Sequence, residues 1–103
     1  MDWKGQGKKQ LVEAILSLES REEAESFLRD LLTEGEIEEF AKRLQTASML
    51  TDNAPYAEIQ KKTGFSTTTI ARVSKWLQKG GGGYRTVISR LHHTHAAPRK
   101  RQD

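Results

Sequence analysis

Apolar residues along this chain recur at helical rather than strand spacing, in six blocks. From Lys8 to Leu18 the set Leu11, Val12, Ile15, Leu16 and Leu18 fits an amphipathic helix. Its stripe is wide for so short a helix, so burial against more than one neighbour is expected. Ser20 with Glu23 forms a capping box, each side chain reaching the other's backbone N–H. That opens a second helix with Ala24, Phe27, Leu28, Leu31 and Leu32 on its buried face. Thr33 with Glu36 forms another box and opens a third helix to about Leu50. There Ile37, Phe40, Ala41, Leu44 and Ser48 keep the period. Glu34, Glu36, Glu38 and Glu39 crowd the first turns, where the helix dipole favours negative charge. Thr51 to Ala54 breaks the pattern, and Pro55 suits the first turn of the next helix.

The stretch from Pro55 to Leu77 reads as a helix, a tight turn and a second helix. Ile70, Val73 and Leu77 share one face, with Ile59 and Phe65 before them. Gly64 falls where the chain must reverse, and Ser66 directly after it can cap the following helix. Two helices joined by a glycine-containing turn form the helix-turn-helix motif, whose second helix enters the DNA major groove. The exposed side of that helix carries Thr67, Thr68, Ala71, Arg72 and Lys75, which are small, hydrogen-bonding or cationic as a groove-facing surface requires. An αα-hairpin that merely completes a helical core is the competing reading. Residues 79–83, KGGGG, end this helix and allow a sharp return of the chain. A last helix from Tyr84 to about His92 carries Tyr84, Val87, Ile88 and Leu91 on one face. The first and last helices present apolar stripes with little partner inside so small a chain, which a second copy would cover.

Charge favours DNA over a plain hairpin. The net charge is only +3, yet residues 1–53 sum to −5 and residues 54–103 to +8. A basic half that holds the helix-turn-helix is the electrostatic footprint of a DNA binder. Arg99, Lys100 and Arg101 could be only a solvated tail, but Lys61, Lys62, Arg72, Lys75, Lys79, Arg85 and Arg90 lie inside the expected fold. The chain has no cysteine, which excludes disulfides, zinc-thiolate sites and a cysteine nucleophile. No apolar run is long enough to span a bilayer, and the first ten residues lack a signal peptide's apolar core. His92, His93 and His95 have no suitably spaced carboxylate or fourth ligand, so no metal is expected. Nor does any paired base and nucleophile suggest catalysis.

Three segments, in order, resemble the Trp repressor family and its Trp-repressor-like homologue branch. LLTEGEIEEFAKRL (residues 31–44) resembles the family's helix opened by LLT, and EIQKKTGFSTTTIARV (58–73) its DNA-reading helices. WLQKGGGGYRTVISRL (76–91) resembles the glycine-tyrosine segment and final helix of the homologue branch. The likeness spans roughly Leu11 to Leu91. It implies an all-α, six-helix fold in which two copies intertwine, projecting two recognition helices toward a palindromic operator. It also implies an effector pocket at Thr33, Arg43 and Arg72, where tryptophan-responsive members bind L-tryptophan. Thr33 is equally explained as a helix cap, and Arg43 as a surface residue or a partner to a carboxylate across the dimer. Val73 stands where the family has a glycine, and Trp76 where it has a serine. Both would fill space that a free tryptophan needs, and Trp76 reads as core beneath the reading head.

The resulting expectation is a flexible N-terminus (1–7), a Trp-repressor-like domain (8–93, helix-turn-helix 55–77) and a disordered basic tail (94–103). The function expected is that of a cytoplasmic, nucleoid-associated homodimer that regulates transcription from a palindromic operator, without cofactor. Repression rests on the resemblance alone. Ser66, Thr67, Thr68, Thr69, Ala71 and Arg72 would meet the DNA, with Lys61, Lys62 and Lys75 as phosphate anchors. Tyr56 and Ala57 would approach the backbone from the first motif helix. The alternatives are a repressor dependent on tryptophan or another small ligand, and a helical protein-interaction module that does not bind DNA.

Overall fold

Side-chain caps open three of the helices. The computed structural model describes residues 1–100, with side chains as far as His92. It contains α1 (Gln6–Leu16), α2 (Arg21–Leu31), α3 (Glu34–Thr51), α4 (Tyr56–Thr63), α5 (Thr67–Lys79) and α6 (Gly83–Lys100), with no strand among the described residues. At the start of α3 the capping box closes in both directions. Thr33 Oγ1 accepts the Glu36 N–H (3.1 Å), and the Glu36 carboxylate accepts the Thr33 N–H (2.9 Å). At α2 the box is displaced. Ser20 Oγ accepts the Glu23 N–H, but the Glu23 carboxylate reaches back to the N–H of Glu19, not of Ser20. Pro55 is the N-cap of α4, one residue before the first turn expected for it. Helix α3 stops where Asn53 turns left-handed (φ 62°), a conformation asparagine tolerates better than most residues.

The chain divides into two compact units within α3, between Ile37 and Glu38. The first unit, through Ile37, has no buried residue in either α1 or α2. The stripe expected to be buried is open: Leu11, Val12, Ile15 and Leu16 on α1, and Leu28 and Leu31 on α2, are all exposed. Periodicity identified a face that the helices of this unit do not bury between them.

The second unit has a true core. Ala47 of α3, Val73 of α5 and Ile88 of α6 form its centre, with Leu44, Leu50 and Tyr84 packed around them. Ile59 of α4 and Ile70 of α5 are both wholly buried, pinning the two motif helices together. On α6 the apolar face splits, with Ile88 buried and Val87 and Leu91 exposed. Phe40 and Ala41, expected to follow the core period of α3, are exposed as well. Helix α6 runs on to Lys100, past the end near His92 that the sequence suggested. Side chains from residue 93 on, and residues 101–103, lie outside the described residues, and the expected basic tail lies there.

Candidate nucleic-acid interface

The turn between α4 and α5 is built by three adjacent residues. Gly64 takes a left-handed conformation (φ 78°), which a side chain would strain, and its N–H bonds to Gln60 O (2.8 Å). Thr63, buried beside it, donates its hydroxyl to Ile59 O (2.8 Å) and accepts the Phe65 N–H (3.1 Å). Ser66 then caps α5, accepting the Thr69 N–H (3.2 Å). Its hydroxyl also donates to Thr69 Oγ1 (3.1 Å). Sequence reasoning found Gly64 and Ser66 but missed Thr63. Its signal was present, a threonine ending an amphipathic helix just before the turn glycine.

Ile70, Val73 and Leu77 anchor α5 in the core, as their spacing predicted. This fixes what the other faces of the helix can do. Thr67, Thr68, Ala71 and Lys75 stand exposed on the open side. Tyr56, Ala57, Lys61 and Lys62 are exposed on α4. Ser66 and Thr69 have been drawn into the cap, with Thr69 half-buried.

Thr69, Arg72 and Trp76, spaced three and four apart, share another face and line a cavity of about 370 Å³. Glu39 and Arg43 from α3 and Tyr84 from α6 complete its wall, and Val73 contributes from the core side. Arg43 and Arg72 are thus brought to one cavity. The Thr33 hydroxyl is occupied in capping α3. Arg43 pairs with Glu39 one turn earlier on its own helix (3.4 Å) and lies over the Phe40 ring, 5.3 Å from its centroid.

Trp76 departs from expectation. It is 62% exposed, a wall of the cavity rather than core. The indole folds back toward Gly80, where a Cβ would come within 2.5 Å of Trp76 O and 2.9 Å of the ring. Val73 is buried as the core requires, yet together the two side chains leave the cavity open.

The sequence from residue 6 to 92 matches the family model for the Trp repressor protein. The chain belongs to the Trp repressor family. It is 41% identical over 85 residues to the Bacillus subtilis (strain 168) protein YerC, covering 82% of each chain. It is also similar to the crystal structure of a TrpR-like protein from Eubacterium eligens ATCC 27750. That match has a TM-score of 0.83 and 42% identity over 87% of this chain and 93% of the other. The all-α, six-helix architecture is therefore the Trp-repressor-like fold. The Trp repressor family is one of regulators that bind DNA and dimerise, not of enzymes. By its family membership this chain is a helix-turn-helix transcription regulator. No helix among the described residues is long and apolar enough to cross a membrane. Among them no three His, Asp or Glu side chains are grouped to hold a metal. His93 and His95 lie beyond the described side chains.

Proposed function

We propose that the protein is a homodimeric, sequence-specific DNA-binding repressor that reads a palindromic operator without requiring tryptophan. The observation that carries this reading is the division of labour on α5. Its apolar face is locked into the core, and Thr67, Thr68, Ala71 and Lys75 are left open together. The threonine methyls suit thymine methyl groups and their hydroxyls suit either base edge, while Lys61, Lys62 and Lys75 supply sequence-independent phosphate contacts. Arg72, exposed on the cavity face of the same helix, would add its contact from that side.

The dimer is supported by the first unit, where six large apolar side chains on α1 and α2 stand exposed. A chain this small gains much of its stability by burying such a face against a second copy. The open cavity at Arg43 and Arg72 favours a second reading, a repressor whose affinity a small ligand tunes. Selection of binding sites from random duplex by the purified protein, with and without L-tryptophan, separates these readings. The proposal expects one inverted repeat, recovered equally under both conditions. A repeat that needs tryptophan gives the second reading. Failure to enrich any sequence, with no binding to random duplex at low salt, leaves a protein-interaction module.

A further inference from the structure

Among the cations of the basic second half, Arg85 has its Nε–H turned back onto the protein itself. Its Nε–H donates to the backbone carbonyl of Leu77 (3.0 Å), across eight residues of chain. Leu77 lies in the last turn of α5, where carbonyls have no partner within the helix. A cation at that end also faces the negative pole of the helix dipole. Trp76 O, the neighbouring carbonyl, is already taken by the Gly80 N–H (2.9 Å), so Arg85 satisfies the next one along.

The approach depends on the glycine run. Gly82 is left-handed (φ 87°), and the chain reverses tightly enough that the first turn of α6 returns beside the last turn of α5. The Leu77 side chain is itself buried, so this residue is held from both its side chain and its carbonyl. On the other side of the join, Ile88 of α6 sits in the same core as Val73 of α5. Helix α5 cannot roll about its axis without breaking the Arg85 bond or pulling Leu77 and Val73 out of the core. The direction in which Thr67, Thr68, Ala71 and Lys75 point is tied to that bond.

We propose that Arg85 is a positioning residue for DNA reading, a latch from α6 that fixes the roll of the recognition helix, and not a phosphate contact. The proposal rests on the DNA-binding reading given above. Its test compares Arg85→Lys and Arg85→Ala with the wild type in the full chain, on the selected site and on random duplex, across a salt series. Losing a hydrogen bond with a charged donor is expected to cost about tenfold in affinity for the selected site. The alanine and lysine variants should both show it, because lysine keeps the charge but lacks the planar Nε–H. Random-duplex affinity and the salt slope should stay at wild-type values. A phosphate contact gives the opposite pattern, a slope shallower by about 0.9 per lost contact in the alanine variant and restoration by lysine. That pattern, or wild-type affinity in both variants, overturns the latch.

A second arm does not need DNA. In a nitrogen-15 spectrum of the wild type, the Arg85 Nε–H should be protected from solvent exchange, and the Gly80 amide should lose protection in the alanine variant. An Arg85 Nε–H exchanging at the free rate overturns the proposal even if the protein binds its operator. A protected one in a protein that binds no DNA leaves the hydrogen bond standing and overturns the DNA-binding reading instead.

Discussion

Salt should weaken DNA binding steeply, and by an amount that the exposed lysines set. Lys61 and Lys62 on α4 and Lys75 on α5 are exposed, and no carboxylate among the described residues forms an ion pair with any of them. In a dimer they provide six cations for phosphates. Each neutralised phosphate releases condensed counterions, giving a slope of log K against log salt of about −0.9 per contact, or about −5 for six. A rise from 50 to 200 mM salt is then worth about a thousandfold in affinity. Lys75→Ala removes two contacts, so the slope should flatten to about −4 and the same rise should cost only about a hundredfold. Fluorescence anisotropy with a labelled duplex at five or more salt concentrations measures both slopes. Lys75 is exposed and outside the core, so the variant should fold as the wild type does. A wild-type slope near −1, or a Lys75→Ala slope equal to that of the wild type, would refute the assignment of these lysines to phosphates.

Three further outcomes test the fold beneath the site. Gly64→Ala forces a side chain into a left-handed backbone and should destabilise the protein by about 1–2 kcal/mol in urea unfolding at fixed concentration, although no atom crowds the position. Thr46 is wholly buried and its hydroxyl has no hydrogen-bond partner among the described residues, so Thr46→Val should be neutral or stabilise by up to about 1 kcal/mol in the same assay. A loss above about 1 kcal/mol would mean that the hydroxyl does have a partner. Ile15→Glu places a charge on the open face of α1, where Ile15 is 54% exposed. Sedimentation velocity should show the wild type as a dimer at micromolar concentration and this variant as a monomer; a dimeric variant would move the interface elsewhere.

Local rules in the sequence were enough at most places where a residue and its partner lie within one turn, the displaced Ser20–Glu23 box being the exception. The Thr33–Glu36 box, the Gly64 turn, the Ser66 cap and the Ile70, Val73, Leu77 stripe all belong to this class. The boundaries of α1 to α5 followed to within two residues. Reading failed where a third element decides the outcome. Periodicity marks the apolar faces of α1 and α2 but cannot say whether their cover lies in the same chain. Trp76 was read as core beneath the reading head, although tryptophan is seldom fully buried and its helical position falls beside Arg72, off the buried stripe. Arg85 was read as one charge among many because its bond to Leu77 depends on a reversal eight residues long. The cavity between Arg43 and Arg72 was legible only through the resemblance, since α3 and α5 lie far apart in sequence.

The central claim is that two copies present two α5 helices to neighbouring major grooves of one duplex. Hydroxyl-radical footprinting on the selected operator tests it most directly, combined with the chain-to-duplex ratio at saturation. The account predicts two symmetric protected segments on one face of the duplex, centred about 10 base pairs or a multiple of that apart, with two chains bound. A single protected segment filled by one chain, or protection spread evenly along the duplex, would contradict it.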